Sequence, residues 1–361
     1  MKTATVNAEK FCAALKKVSG VLKACPVPEI EQIHVDCRDG ICRLTGTDIS
    51  VWMVSDIPAD GDDFSFVFSN TKAIVRACRH YLGNLTLELT GEEKDLYLTM
   101  RCGDKEGTFP VMKSSLYPEL PLVEPQHKYF TNAESLFERV KSVRYASTFS
   151  EKRPELCGVR FQGDRVWCVD GQRLAVNEDT ELNVEHPFII AASALSHLKA
   201  FGNQTVELAE GVRYLLVSAA GMKLYCRKLE TSEILQLDAV LPKYNKENYE
   251  VNVLQYRKAL EYLNGCAVGM REVKVVFDNG KLTLSGNGAT YSAKLDVQGT
   301  CGIPYAFQLS YMKEALEQFA QEETIHIGID SSISPIVLTG KSGNTALVLP
   351  SRMSAVQSKA A

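Results

Sequence analysis

Gly83-Asn84-Leu85-Thr86-Leu87-Glu88-Leu89 follows a helical stretch and alternates apolar with polar side chains, the pattern of a half-buried strand. The stretch returns as Gly202-Asn203-Gln204-Thr205-Val206-Glu207-Leu208, and more loosely as Glu323-Thr324-Ile325-His326-Ile327. Thr86, Thr205 and Thr324 are 119 residues apart. Solenoid units repeat every 20 to 50 residues or so, and a period this long means a duplicated domain. A second landmark agrees. The turn glycines Gly40, Gly163 and Gly280 lie 123 and 117 residues apart.

Each third of the chain therefore reads alike. A helix opens it, at about 7–23, 132–146 and 253–266. A strand-turn-strand follows, in Asp36–Leu44, Val159–Trp167 and Val275–Leu284, where Asp-Gly, Gly-Asp and Asn-Gly pairs supply the positive φ of tight hairpins. A second helix comes next, at about 70–83, 192–201 and 309–320, and then more strands. Proline-containing joints near Pro118–Pro125 and Pro242–Asn245 separate the copies. The expectation is an α+β fold of three repeated domains, 1–124, 125–244 and 245–361, each with two helices against antiparallel sheet.

Composition narrows the function by exclusion. No apolar run reaches the roughly 18 to 20 residues that span a bilayer, and the N-terminus moves straight into an amphipathic helix without a signal-peptide core. A cytoplasmic protein with no membrane partner is expected. The eleven cysteines are odd in number and contain no Cys-x-x-Cys pair, so neither a disulfide framework nor a zinc site is expected. The six histidines have no ligand spacing. Gly340-Lys341-Ser342 resembles the end of a P-loop, yet Pro335 stands where the first glycine belongs. Gly-x-Ser-x-Gly and His-Glu-x-x-His are both missing. These observations point away from an enzyme, a metal and a cofactor.

Charge gives the positive signal. The net −4 of the chain argues against a nucleic-acid binder, but the six helix spans carry fourteen basic side chains against six acidic ones. Lys72, Arg76 and Arg79 form one stripe with His80 beside it, while Ile74, Cys78 and Tyr81 form the opposite, apolar stripe. In the first helix Phe11, Leu15 and Val18 face a core and Lys10 and Lys17 point away. A single basic helix face is ordinarily just solvated. Recurrence on repeat-related helices instead describes a surface that draws a phosphate backbone to one face and repels it elsewhere.

Several local motifs resemble the bacterial DNA polymerase III beta subunits, the sliding clamps. Arg153-Pro154-Glu155-Leu156-Cys157-Gly158-Val159-Arg160-Phe161 is similar to a segment of that family's middle domain. Asp170-Gly171-Gln172-Arg173-Leu174-Ala175 resembles its Asp-Gly-x-Arg-Leu-Ala signature. Leu347-Val348-Leu349-Pro350-Ser351-Arg352-Met353 resembles its C-terminal ending, and Phe109-Pro110 with Tyr117-Pro118-Glu119-Leu120 resembles the close of its first domain.

The resemblance implies a non-catalytic accessory subunit of DNA polymerase. Two protomers would pair head to tail into a ring of six domains around double-stranded DNA, contacting phosphates without reading bases. The expected DNA-facing residues are Lys10, Lys17, Lys72, Arg76, Arg79, Arg144 and Lys199. A clamp-loader ATPase would be a separate protein. The resemblance also implies a pocket for short hydrophobic peptides of the replicative polymerase, the loader and other partners. Its expected lining is Leu156, Gly171, Gln172, Arg173, Leu174, Tyr311, Ile333, Pro335, Leu347, Val348, Leu349, Pro350, Ser351, Arg352 and Met353, with Arg173 and Arg352 at the rim.

Two departures stand out. Leu235 and Ala239 occupy positions where the family usually has a proline and a pocket arginine, and Ser354–Ala361 extend past the usual end. On the ring-closing edges, Arg101–Gly107 and Gly288–Lys294 set Asp104 and Glu106 against Lys294, a reversed pairing that implies a weaker homodimer. The competing reading is a clamp-derived peptide-binding adaptor that never closes on DNA.

Overall fold

The computed structural model describes residues 1–91, 95–148, 153, 156–178, 182–230, 235–242, 247–266, 271–278, 281–286 and 290–352. Met353, Ser354–Ala361, Pro154-Glu155, Ile234, residues 243–245 of the second joint, the Asn279-Gly280 turn and the Gly288-Ala289 edge residues lie outside the described residues.

An asparagine starts the first helix of every copy. Asn7, Asn132 and Asn252 each end a strand and accept on Oδ1 from a backbone N–H three residues on: Lys10 at 2.9 Å, Ser135 at 3.0 Å and Gln255 at 3.0 Å. Such an N-cap satisfies one of the helix's orphan donors and is typically worth about 1 kcal/mol. The residue after each asparagine donates its N–H to the carbonyl just before the repeated strand. These bonds are Ala8 to Gly83 (2.8 Å), Ala133 to Gln204 (2.9 Å) and Val253 to Glu323 (3.0 Å). The repeated sequence is thus the strand against which each copy's first helix begins.

The copies share one element order. The first runs β1 (Lys2–Asn7), α1 (Ala8–Val18), β2 (His34–Arg38), β3 (Ile41–Thr47), β4 (Val51–Gly61), β5 (Phe64–Phe68), α2 (Thr71–Cys78), β6 (Asn84–Thr90), β7 (Tyr97–Cys102) and β8 (Lys105–Met112). The second runs β9 (His127–Asn132), α3 (Ala133–Val143), β10 (Gly158–Gly163), β11 (Arg165–Val169), β12 (Arg173–Glu178), β13 (Val184–Ala191), α4 (Ala192–Leu195), β14 (Thr205–Glu210), β15 (Tyr214–Ala219) and β16 (Met222–Arg227). A one-turn helix α5 (Leu237–Val240) precedes the third, which runs β17 (Glu247–Asn252), α6 (Val253–Cys266), β18 (Glu272–Asp278), β19 (Lys281–Gly286), β20 (Tyr291–Thr300), β21 (Tyr305–Gln308), α7 (Leu309–Glu317), β22 (Thr324–Ile329), β23 (Ile336–Thr339) and β24 (Asn344–Val348).

Helix α4 is shorter than its sequence suggests, because Ser196–Phe201 continue it as a 3-10 helix. Leu195, Leu198 and Phe201 are buried there at intervals of three, the period of a 3-10 turn.

By internal contacts the chain divides into two compact units, Met1–Phe137 with Ser193–Lys228, and Glu138–Ala192 with Leu229–Ala361. Each unit is built on a twelve-stranded sheet. The first has the order β1-β6-β7-β8-β5-β2-β3-β4-β16-β15-β14-β9, and the second β13-β10-β11-β12-β24-β23-β22-β17-β20-β19-β18-β21. The middle copy therefore contributes four strands to each sheet. It joins the first copy where β4 meets β16, with Trp52 opposite Tyr225. It joins the third where β12 meets β24, with Leu174 opposite Leu347.

In the first unit α1 packs on α2, β3 and β4, and Phe11, Leu15, Val18, Ile74 and Cys78 are buried. Each large apolar side chain so removed from water contributes about 1.5–3 kcal/mol. In the second unit Tyr256, Leu260 and Leu263 of α6 and Leu309, Met312 and Leu316 of α7 share a core with Phe307, Ile325 and Ile327. All eleven cysteines are free, and burial pushes the Cys78 thiol up to about 12.

Candidate functional site

The basic helix faces form as the amphipathic pattern dictates. Helix α2 is capped by Asn70, whose Oδ1 accepts from the Ala73 N–H at 3.0 Å, and it buries Thr71, Ile74 and Cys78. Thr71 ties its start to the preceding loop, accepting from the Ile33 N–H at 3.1 Å and donating its own N–H to Gln32 at 2.7 Å. The opposite face carries Lys72, Arg76 and Arg79, all exposed. With Lys23 from the end of the first helical segment they line a cavity of about 670 Å³. Lys10 on α1 and Lys199 on the 3-10 turn are also exposed. Lys17 is half-buried, its Nζ 3.2 Å from Met222 Sδ. In the second unit Arg144 is exposed at the end of the α3 segment.

Ion pairing sets these residues apart from some of the other cations. Several cations on strands or just after them are neutralised, whereas Lys223, Arg227, Lys274 and Lys294 on strands make no ion pair among the described residues. Arg43 makes a two-pronged pair with Asp56 at 2.7 and 2.8 Å, Lys128 meets Glu207 at 2.9 Å, and Lys228 meets Glu210 at 2.6 Å. Lys10, Lys17, Lys72, Arg76, Arg79, Arg144 and Lys199 make no ion pair among the described residues. Lys23, just past the first helical segment, pairs with Asp48, and Lys141 on α3 pairs with Glu138 at 2.8 Å. Unpaired, exposed cations keep their full field for an outside anion.

The expected peptide-binding residues gather in the second unit, around the β12–β24 junction. Asp170 makes the turn between β11 and β12. Its Oδ1 accepts from the N–H groups of Gln172 and Arg173 at 2.9 and 3.0 Å, and Gly171 takes φ +90°. Past β24 the chain is held on both sides. The Leu349 N–H donates to the Gln172 carbonyl and the Ser351 N–H to the Ala306 carbonyl, each at 2.8 Å, and Pro350 bridges to Phe307. Leu156, Leu174 and Leu347 are buried in a cluster with Trp167, Val169, Val176 and Val337. Ile333 and Leu349 are exposed large apolar side chains, at 78% and 39%. Gly171, Gln172 and Arg352 are exposed, Pro335, Pro350 and Ser351 half-buried, and Val348 belongs to the main core.

Arg173 is not at a rim. Its side chain is only 11% exposed, with Nε 2.9 Å from Asp170 and Nη1 paired with Glu314 of α7. Its guanidinium lies 4.6 Å from the Tyr311 ring centre and 5.5 Å from that of Tyr145. Burial pushes the Tyr145 phenol well up. Glu314 was not legible as a partner, since nothing in a helix sequence says which strand arginine it will meet. Leu237, Val240 and Leu241 were also missed. They pack on the Leu174–Leu347 cluster, and their one-, four- and five-position spacing along a short helix was a readable signal. Arg165 to Asp238 at 2.9 Å and Gln162 to Gln236 at 2.7 Å pin that segment, leaving Leu235 and Ala239 exposed.

The P-loop look-alike has a structural use. The N–H groups of Lys341 and Ser342 donate to the Glu322 carboxylate at 2.6 and 3.4 Å, so the chain's own acid occupies the nest. Among the described residues no group of three His, Cys, Asp or Glu is placed to hold a metal ion, and no helix is long and apolar enough to cross a membrane.

No family model matches the chain. The Beta sliding clamp of Bacillus subtilis (strain 168) is 25% identical over 273 residues, covering 68% of this chain and 70% of that protein. The Beta sliding clamp of Staphylococcus aureus (strain Mu50) is 23% identical over 358 residues, covering 90% of this chain and 92% of that protein. The crystal structure of the DNA polymerase III beta subunit of Thermotoga maritima superposes with a TM-score of 0.87 at 20% identity, covering 98% of this chain and 100% of that one. The structural likeness is one of fold, and both sequence relatives are named Beta sliding clamp. The chain is similar over most of its length to the sliding clamps, the beta subunits of DNA polymerase III, and has their fold.

Proposed function

We propose that the chain is a DNA sliding clamp, a non-catalytic processivity factor that encircles duplex DNA as a head-to-tail homodimer. The observation that carries this reading is the pairing pattern. Lys10, Lys72, Arg76, Arg79, Arg144 and Lys199, on helical segments of the first two copies, are exposed and make no ion pair among the described residues. Free cations on helix faces contact a phosphate backbone at any register, which suits sliding. In this reading the domains are 1–124, 125–244 and 245–361.

The sheet edges support the dimer. Among the described residues, Lys105–Pro110 of β8 pair only with β7, and Tyr291–Asp296 of β20 pair only with β19. These are the counterparts of β16 and β4, which pair with each other inside the chain. Transferring the Met222–Ser55 and Leu224–Met53 register sets Lys105 opposite Ala293 of the partner subunit, and Gly107 opposite Tyr291 of the partner subunit. Glu106 then falls opposite Ser292 of the partner subunit and diagonal to Lys294 of the partner subunit, the reversed charge pairing expected from sequence. Within the chain Glu106 is also engaged by Arg101 at 2.8 Å, which weakens its call on a partner lysine.

The surface at the β12–β24 junction is the proposed tether for short hydrophobic peptides of the replicative polymerase and of a clamp-loader ATPase. Its buried leucines supply the floor, and exposed Ile333 and Leu349 supply apolar surface for an anchor side chain. Sedimentation across a concentration series tests the dimer: self-association is expected, and monomer alone at tens of micromolar would contradict it. Peptide titration against Ile333→Asp tests the tether, with loss of binding expected and unchanged affinity contradicting it.

A further inference from the structure

The first unit holds a cavity of about 380 Å³ beside the β4–β16 junction, apart from the basic helix faces. Trp52, Leu122, Val123 and Tyr214 wall it, and Glu119, Glu124 and Arg213 stand exposed around it. Its construction parallels the proposed tether in the second unit. Trp52 faces Tyr225 across one junction as Leu174 faces Leu347 across the other. Leu120 and Val123, from the joint after the first copy, pack on Trp52, Val54 and Tyr225. Leu237, Val240 and Leu241, from the joint after the second copy, pack on the Leu174–Leu347 cluster.

The cavity's walls are fixed. The Gln126 N–H donates to the Glu210 carbonyl at 2.7 Å, and the Gly211 N–H to the Tyr214 carbonyl at 2.9 Å, closing the β14–β15 hairpin beside the joint. A Cβ on Gly211 would stand 3.0 Å from Val123 Cγ1, so glycine lets hairpin and joint approach. Tyr214 meets the Trp52 ring edge-on with centres 5.7 Å apart.

Two observations point to a ligand. Trp52 is 4% exposed, lines the cavity, and its indole N–H has no acceptor. Leaving a buried donor unmade typically costs about 1–3 kcal/mol, so a ligand that turns the indole toward an acceptor is favoured. The second observation is charge. Glu119 and Glu124 make no ion pair among the described residues, and only one cation, Arg213, lines the same cavity. Beside them Leu122 and Val212 are 84% and 71% exposed, an apolar lip with nothing over it.

We propose that this cleft is a second peptide-docking site. It takes a short extended segment of a partner protein, with an aliphatic or aromatic anchor against Trp52 and Tyr214, a backbone carbonyl on the Trp52 indole, and a flanking Lys or Arg for Glu119 and Glu124. Extended peptides combine main-chain hydrogen bonding with side-chain pockets in this way. The site is defined by first-unit residues alone and goes beyond the clamp reading, which DNA retention tests separately.

The chain's two tryptophans make the test local, since Trp52 reports on this cleft and Trp167 on the second-unit cluster. The measurement is the ¹⁵N-indole spectrum of the full chain during titration with the capped peptide Lys-Val-Thr-Phe-Thr-Lys, and with Glu-Val-Thr-Phe-Thr-Glu as its charge-reversed control. A saturable shift of the Trp52 resonance is expected, at least about fivefold weaker in affinity for the acidic peptide. Replacing the two exposed lip residues, Leu122→Asp with Val212→Asp, should weaken it by about tenfold while the Trp167 resonance stays in place. A Trp52 resonance that does not move up to about 1 mM of either peptide overturns the proposal. So does a shift that survives the lip substitutions unchanged, or one confined to Trp167.

Discussion

Arg173, at the start of β12, is paired with Glu314 on α7, and its guanidinium lies over the Tyr311 ring at 4.6 Å. The pair fastens the Asp170–Arg173 turn, which the family resemblance places in the peptide pocket, to a helix of the third copy. With Asp170 on its Nε, Arg173 has a carboxylate on each side and an aromatic face beneath it.

Removing Arg173 leaves Asp170 without its ion partner in a largely buried site, and breaking a buried pair in this way typically costs about 3–5 kcal/mol. Arg173→Ala should lower the denaturation midpoint accordingly. Glu314→Gln should cost no more than about 1 kcal/mol, because Glu314 is 43% exposed and Asp170 still holds the guanidinium. Urea denaturation of both variants checks the order, and an equal loss in the two would contradict it.

Lys72, Arg76 and Arg79 are exposed and unpaired, so replacing all three by alanine should change stability by no more than about 0.5 kcal/mol each. DNA binding should respond instead. If each side chain neutralises one phosphate, the slope of log K against log salt should fall by about 2.7. An unchanged slope would remove these residues from the DNA-facing set.

His34 and His197 both have pKa values lowered mainly by burial, and His34 stacks on Tyr117 with ring centres 5.0 Å apart. Their folded-state values lie below the unfolded value near 6.5, so the unfolded chain binds more protons just below that pH. Their contribution to stability is therefore complete above about pH 6.5 and is lost as pH falls through the folded values. Melting between about pH 7 and 5.5 should show the decline, and His34→Gln should flatten it. A slope of opposite sign would contradict the burial of neutral imidazoles.

Glu322 holds the Gly340–Gly343 turn through the N–H groups of Lys341 and Ser342. Glu322→Ala should expose these amides and speed their hydrogen exchange by about tenfold or more. Gly340→Ala should act in the same direction, because its Cβ would fall 2.1 Å from the Glu322 carboxylate. Unchanged protection at Lys341 would show that the turn holds itself.

The fold was legible wherever one short-range pattern carried it. Phe11, Leu15 and Val18, and the apolar stripe of α2, needed only helical spacing, and the repeated strand needed only alternation. The allocation of the middle copy's strands to two different sheets was not legible. It depends on β4 meeting β16 and β12 meeting β24, pairings between residues far apart in the chain. The same limit applies to the site. Asp170-Gly171 could be read as a turn, whereas the burial of Arg173 depends on Glu314 and Tyr311, more than 130 residues away. The Trp52 cavity was invisible for the same reason, since the joint and the β14–β15 hairpin that build it are distant in sequence.

The most direct test of the clamp reading is retention on closed circular DNA compared with the same DNA after linearisation, following loading by the clamp-loader ATPase from the same source. Topological linkage predicts that the protein stays with the circle and is released when one cut is made, at salt high enough to screen direct phosphate contacts. Equal retention on circular and linear molecules, or none on either, would contradict encirclement and favour an adaptor that binds partners without enclosing DNA.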